Sequence, residues 1–274
     1  MPITFKCKTN TAYTIKVLAE LLQNNLKTAC LEIDTSGIKL VMMDFNRSIL
    51  ISFELASENF TIYKFKVSKM FIGLNLNHFH KMLKSIKKKD SLQLYIDDSQ
   101  PNELNIKVIP RENNRITTSI VKIQSIQKID ITIPTGYDNS IIVQSSEYQK
   151  LVKDMSHIGN IISVRSKDHH IEFKCDAGGV LQRIVEFGEL DDKDDDDDDK
   201  QKKNTVSFYQ TFDTEQLSRI TKISGLSSNI KICPKEGLPL LFKTNVGILG
   251  EISIYIKSKE QVEKENCNVE SDED

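Results

Sequence analysis

The chain is 274 residues long, enough for one large domain or two of ordinary size, and with no Trp and few aromatics its core must be built from Ile, Leu and Val. Its five cysteines are scattered without a C-x-x-C, which argues against a disulfide framework or a zinc site and for reduced thiols in a nuclear or cytosolic protein. The formal charge is only -2, and the absence of a long apolar run or a signal-peptide pattern predicts a protein neither membrane-spanning nor secreted.

Strand patterns dominate from the start. ACLEIDTSGIKLVMMD (29–44) is two alternating runs around Thr35-Ser36-Gly37, a hairpin signal, and SILISFEL (48–55) follows. SLQLYIDD (91–98), ELNIKVIP (103–110) and RITTSIVKI (115–123) continue the pattern. IQSIQKIDITIPTGYDNS mixes Ile with Gln, Asp and Thr before Pro134 and Gly136, and reads as an extended connector over 123–140. The second half repeats the strand signals at 161–176, 180–187, 205–212, 229–234, 239–244 and 249–256.

Two acidic segments interrupt this. Residues 191–199 hold eight Asp and one Lys, a net -7, and residues 260–274 hold seven acids and one Lys, a net -6. The rest of the chain therefore carries +11. A basic body with acidic appendages points to an anionic partner. Like charges should keep the loop 190–203 and the tail 259–274 extended and solvated.

Four segments have helical rather than strand spacing. Apolar positions fall at Tyr148, Leu151, Val152 and Met155 in EYQKLVKDM, and at Phe79, Met82, Leu83 and Ile86 in HFHKMLKSI. The same phase gives Val17, Leu18 and Leu21 in the first helix, and Leu217 and Ile220 in a weaker fourth. Each helix precedes a hairpin, so the chain divides into two similar domains, 1–122 and 141–258, each with two helices on antiparallel sheets: an α+β fold. On the side away from the apolar stripe the helices carry Lys16, Lys81, Lys84, Lys150, Lys153, Arg219 and Lys222, seven basic residues in eight equivalent places, with Ala19 the eighth. A solvated helix face would normally mix both signs. Lysines repeated in register suit phosphate contacts without base readout.

SEYQKLVKDMSHIGN (146–160) resembles the signature helix of the proliferating cell nuclear antigen family of DNA sliding clamps. LKTACLEIDTSGIKLVMMD (26–44), GLNLNHFHKMLKSIKKKDSLQLYID (73–97) and TKISGLSSNIKICPKEGLPLLF (221–242) are similar to further family segments, and the likeness runs over about 1–258. It implies a homotrimeric ring, the DNA clamp fold, with the basic helices lining a channel around duplex DNA. His157, in the SHIG motif, fits DNA contact or a helix-end role. The resemblance places a partner-peptide pocket at Met43, Asp44, Leu50, Ile131, Ile133, Pro134, Pro239, Tyr255 and Ile256. Lys257-Ser258 replaces the family's Ala-Pro after the last strand. The resemblance implies subunit edges at 115–123 and 180–187, with Ile116, Thr118, Ile120, Leu181, Arg183 and Val185.

No P-loop, G-x-S-x-G or H-E-x-x-H occurs, so catalysis, a cofactor and a structural metal are not expected. The expectation is a processivity factor in the nucleus or a viral replication compartment. Its partners would be duplex DNA, a polymerase and other clamp-binding peptides, and a clamp loader. The alternatives are a clamp-like scaffold that forms no homotrimeric ring and a metal-dependent nuclease using the aspartates.

Overall fold

A computed structural model describes residues 3–112, 115–167, 169–188 and 208–271. The first half runs β1 (Ile3–Thr9), α1 (Ala12–Asn25), β2 (Thr28–Asp34), β3 (Gly37–Met43), β4 (Ile49–Ala56), β5 (Ile62–Phe65), β6 (Lys69–Asn75), α2 (Leu76–Leu83), β7 (Ser91–Asp97), β8 (Glu103–Ile109) and β9 (Thr117–Lys122). The second runs β10 (Ile141–Gln144), α3 (Ser145–Ser156), β11 (Ile161–Lys167), β12 (His170–Asp176), β13 (Gln182–Gly188), β14 (Phe208–Asp213), α4 (Thr214–Arg219), β15 (Asn229–Cys233), β16 (Leu240–Asn245), β17 (Gly250–Ile256) and α5 (Lys259–Ser271). A 3₁₀ turn over Thr221–Gly225 extends α4.

The repeat is a strand, a helix and three strands, used four times, with β5 as an addition in the first half. The helix-plus-hairpin unit expected from sequence is thus completed by a strand on each side. The leading strands are exchanged within each half. β1 joins β7, β8 and β9 in a sheet ordered β5-β1-β7-β8-β9, and β14 joins β11, β12 and β13 in one ordered β13-β12-β11-β14. β6 and β10 enter an eight-stranded sheet, β10-β15-β16-β17-β4-β3-β2-β6, that spans both halves. Its seam is the antiparallel pair β4–β17, in register from Gly250 opposite Leu55 to Ile256 opposite Ile49. Residues 125–140 carry no regular element, and the connector is pinned at its start by two backbone hydrogen bonds between Gly73 and Gln124, 3.1 and 2.8 Å.

Alternation decides which face of each strand is buried. β12 turns Ile171, Phe173 and Cys175 inward and leaves its polar residues outside. The helices close the core from one side: Val17, Leu18 and Leu21 of α1, Tyr148, Leu151, Val152 and Met155 of α3, and Leu217 and Ile220 are all buried. In α2, Phe79, Leu83 and the following Ile86 are buried, but Met82 is exposed at the rim of the stripe.

The tail departs from expectation. Residues 259–271 form α5 instead of irregular chain. The cause is a reciprocal cap at SKEQ: the Gln261 amide donates to Ser258 Oγ at 3.2 Å, and the Ser258 amide donates to Gln261 Oε1 at 3.0 Å. The helix start is fastened to β14, where Thr211 Oγ1 donates to Glu260 Oε1 at 2.7 Å and Lys259 pairs with Asp213 at 3.5 Å. The aspartate run of 190–203 lies outside the described residues.

The seam tolerates no side chain at Gly250, where a Cβ would stand 1.9 Å from the Glu54 carbonyl oxygen of β4. Gly250→Ala is therefore expected to lower the urea midpoint, with a loss of roughly 1–3 kcal/mol or more and little change in slope. An unchanged midpoint would show that the two strands part easily.

Candidate nucleic-acid interface and docking cleft

The four repeat helices form one layer. α1 packs on α2 and on the 3₁₀ turn after α4, and α3 packs on α4 and the same turn. Each helix buries its apolar stripe on the sheets, so the opposite faces share one side of the molecule. Lys81, Lys84, Lys150 and Lys153 are exposed there, and among the described residues none of them is in an ion pair. The other three cations are engaged. Lys16 Nζ donates to the carbonyls of Lys84 at 2.7 Å and Ile86 at 3.1 Å, and so serves the unsatisfied end of α2. Lys222 pairs with Glu20 of α1 at 2.8 Å. Arg219 pairs with Glu215 at 2.7 Å and approaches Asp44 at 3.7 Å. His157 is exposed at the end of α3. His80, which the basic phase does not include, is buried beside α1; desolvation depresses its pKa and keeps the imidazole neutral.

A cleft opens on the sheet side, between the seam and the connector. Met43, Leu50, Ile131, Pro134, Pro239 and Tyr255 line a cavity of ≈ 230 Å³ together with Ser48, Thr132 and Lys257. Ile133 belongs to the same apolar cluster. Two expected members are elsewhere. Ile256 follows Tyr255 on a strand, so it points to the opposite face and is wholly buried in the main core. Asp44 is buried in the β3–β4 turn, where its carboxylate accepts from the Ser48 amide at 2.8 Å and the Ile49 amide at 2.9 Å. It does not line this cavity, but it lines the wider groove into which the cleft continues. Tyr137 escapes the sequence reading: its hydroxyl donates to the Pro239 carbonyl at 2.7 Å, and its ring lies 6.0 Å from that of Tyr255. Burial pushes both phenols above their ordinary pKa, so they stay neutral. Its position in the connector, three residues after Pro134, was the available signal.

The cleft continues, through Met43 and Ile131, into a groove of ≈ 440 Å³ between β2, β3 and the connector. Phe45, 95 % exposed, stands at its rim. Here the connector is clasped to the sheet. Glu32 accepts from Lys69 at 2.6 Å and pairs with the connector's Lys128 at 3.1 Å, and Lys128 also lies 5.6 Å over the Phe71 ring. The Lys69 hydrogen bond, with Lys128 behind it, holds the Glu32 carboxyl below the usual range.

The strands expected at the subunit boundary are both sheet edges: β9 closes the five-stranded sheet and β13 the four-stranded one. Ile116, Thr118, Ile120, Leu181 and Arg183 are exposed. Val185 is half-buried against the core, because it shares a face with Phe187, and Ile184 is the exposed apolar residue of β13. Arg183 pairs with Asp154 of α3 at 2.7 Å. Among the described residues no group of three or more His, Cys, Asp or Glu could hold a metal ion.

Residues 4–131 match the family model for the N-terminal domain of proliferating cell nuclear antigen, and residues 132–268 match that for its C-terminal domain. "Probable DNA polymerase sliding clamp 1" of Paramecium bursaria Chlorella virus 1 is 25% identical over 255 residues, covering 93% of this chain and 96% of that protein. "Proliferating cell nuclear antigen" of Chaetomium thermophilum is 25% identical over 251 residues, covering 90% and 95%. The crystal structure of Proliferating Cellular Nuclear Antigen from Entamoeba histolytica has the same fold, with a TM-score of 0.79 at 19% identity over 94% of this chain and 100% of that one.

The clasp has a pH signature. Because the folded-state pKa of Glu32 is lowered, its contribution is present above the ordinary carboxylate range and is lost as pH falls through the folded value. Amide exchange over 125–131 should therefore rise, relative to the sheets, on acidification below about pH 4. In Glu32→Gln it should already be high at neutral pH. Equal exchange in the two proteins would show that Glu32 does not hold the connector.

Proposed function

The chain belongs to the proliferating cell nuclear antigen family, and from that premise we infer a DNA polymerase sliding clamp. It is a processivity factor that encircles duplex DNA without sequence preference and tethers replication and repair proteins. The observation that carries this reading is the family match over residues 4–268, joined to one helix layer whose outer face bears free lysines. Lys81, Lys84, Lys150 and Lys153 are the primary phosphate contacts, since they are exposed and unpaired among the described residues. Arg219 and Lys222 act at the margin. Exchange of their present carboxylate partners for phosphates would cost part of the gain. Lys16 holds the layer together and contributes mainly to the field.

Three copies close the ring by pairing β9 of one with β13 of the next. This satisfies two exposed backbone edges and covers Ile116, Ile120, Leu181 and Ile184. Partners present a short apolar plug to the cleft of Met43, Leu50, Ile131, Ile133, Pro134, Tyr137, Pro239 and Tyr255. The work is topological and the clamp is a scaffold without a reaction of its own. Its place is the nucleus or a viral replication compartment.

Two outcomes follow. Once loaded, the protein should stay on a nicked circle and leave the same DNA within the assay time after linearisation. Equal loss from both would exclude encirclement, and a stable monomer in solution would favour a scaffold that forms no homotrimer. Replacing the four free lysines with Ala should lower the slope of log affinity against log salt by ~0.9 for each phosphate left without its cation. Lys16→Ala should leave that slope nearly unchanged while reducing stability by about 1 kcal/mol. A fall in slope as large from Lys16 as from Lys81 would reverse these roles.

A further inference from the structure

Among the described residues that line the docking cleft, Lys257 alone is charged. Its amide donates to the Ser48 carbonyl at 2.9 Å, which carries the β4–β17 pairing one residue past Ile256. The pleat therefore turns Lys257 to the cleft side with Tyr255, and Ile256 to the core. The Lys257 side chain is only 16 % exposed. An ammonium so far out of water needs a carboxylate. Glu265 of α5 supplies one, and both of its oxygens accept from Lys257 Nζ, at 2.7 and 2.6 Å. Glu265 itself remains largely in solvent, 54 % exposed. α5 is fastened at its start, by the Ser258–Gln261 cap, by Thr211 on Glu260 and by Gln261 Nε2 on the Gly237 carbonyl at 3.3 Å. Beyond Gln261, among the described residues, the Lys257 pair is the only side-chain hydrogen bond or ion pair that ties α5 to the rest of the chain.

We propose that Lys257 is a carboxylate subsite of the docking cleft: a partner peptide places an Asp or Glu beside its apolar plug, and that acid takes the Lys257 ammonium from Glu265. This rests on the docking reading above and adds a charge requirement to it. An apolar cleft accepts any plug of suitable size. A single cation at its wall discriminates, because a neutral side chain gains nothing from it and a basic one meets like charge. The exchange is an easy one. Lys257 is paired before and after, so no charge is left buried without a partner, and the acid that departs swings into water on the unfastened part of its helix. The two departures from the family's Ala-Pro therefore work together. Lys257 brings the cation, and Ser258 caps the helix whose Glu265 neutralises that cation while the cleft is empty.

The test is fluorescence anisotropy on the full chain with short synthetic peptides. Each carries one Leu and two Phe as its plug and a single Glu at successive flanking positions, and each is paired with the same peptide bearing Gln. At about 0.1 M NaCl at least one Glu peptide should bind about tenfold tighter than its Gln counterpart, and the gap should narrow at about 1 M. Lys257→Gln should erase that difference. Glu265→Gln should tighten the Glu peptide about threefold and leave the Gln peptide where it was. Amide exchange over 262–271 should rise when the Glu peptide binds and stay level with the Gln peptide. Equal binding within every Glu–Gln pair, or variants that shift both peptides alike, would overturn the subsite and leave the docking reading intact. No binding by any plug peptide, or binding untouched by Tyr255→Ala, would overturn the docking reading and the subsite together.

Discussion

The pairing of β4 with β17 is the contact on which the remaining geometry depends. It turns two four-stranded portions into one eight-stranded sheet, so the halves cannot hinge independently without breaking a ladder of seven residue pairs. The helices sit on that continuous support. Their outward faces share a side because the sheet beneath them is shared. The cleft lies on the far side of the same seam: Leu50 and Tyr255 are direct cross-strand partners in it. A single ladder thus positions both the basic helix face and the apolar cleft.

The helix layer separates charges by duty. Some cations are tied into the protein by carbonyls or carboxylates, as Lys16, Lys222 and Arg219 are. Others stand free. A surface that must move along a polyanion benefits from the second kind, since weak, exchangeable contacts with individual phosphates can be made and broken without rearranging the fold. Lys16, held by neutral carbonyls, keeps its full charge, whereas Lys222 and Arg219 are offset by the carboxylates they pair with. Tight, geometrically fixed ion pairs at every position would bind DNA harder and slide less well.

Much of this was legible in the sequence because both periodicities were clean. The apolar stripe of α3 and the alternation of β2, β3, β7 and β12 each identified a buried face correctly. What the sequence did not show was which polar atoms would find one another. Lys16 and Lys84 fall on the same kind of helix face, but only the packing of α1 against α2 brings the Lys16 ammonium onto the Lys84 carbonyl. Ile256 and Tyr255 are adjacent in sequence, and the pleat sends them to opposite faces. The leading strands β1, β6 and β10 and the added β5 were missed, although β1 alternates as cleanly as β12. The tail was read from its charge, which outvoted four residues of capping chemistry at Ser258–Gln261.

The exchange of leading strands also sets an order of assembly. β1 meets its first partner in β5, some sixty residues on, and its second in β7, some ninety residues on, while the second edge of β4 waits for β17, about two hundred residues on. A chain emerging from the ribosome can therefore settle its first half once β9 is out, with the β4 edge still open. Until the last strand arrives, that edge is an exposed apolar template of the kind that captures other chains. Synthesis that stalls before residue 250 would release a folded half with an adhesive margin.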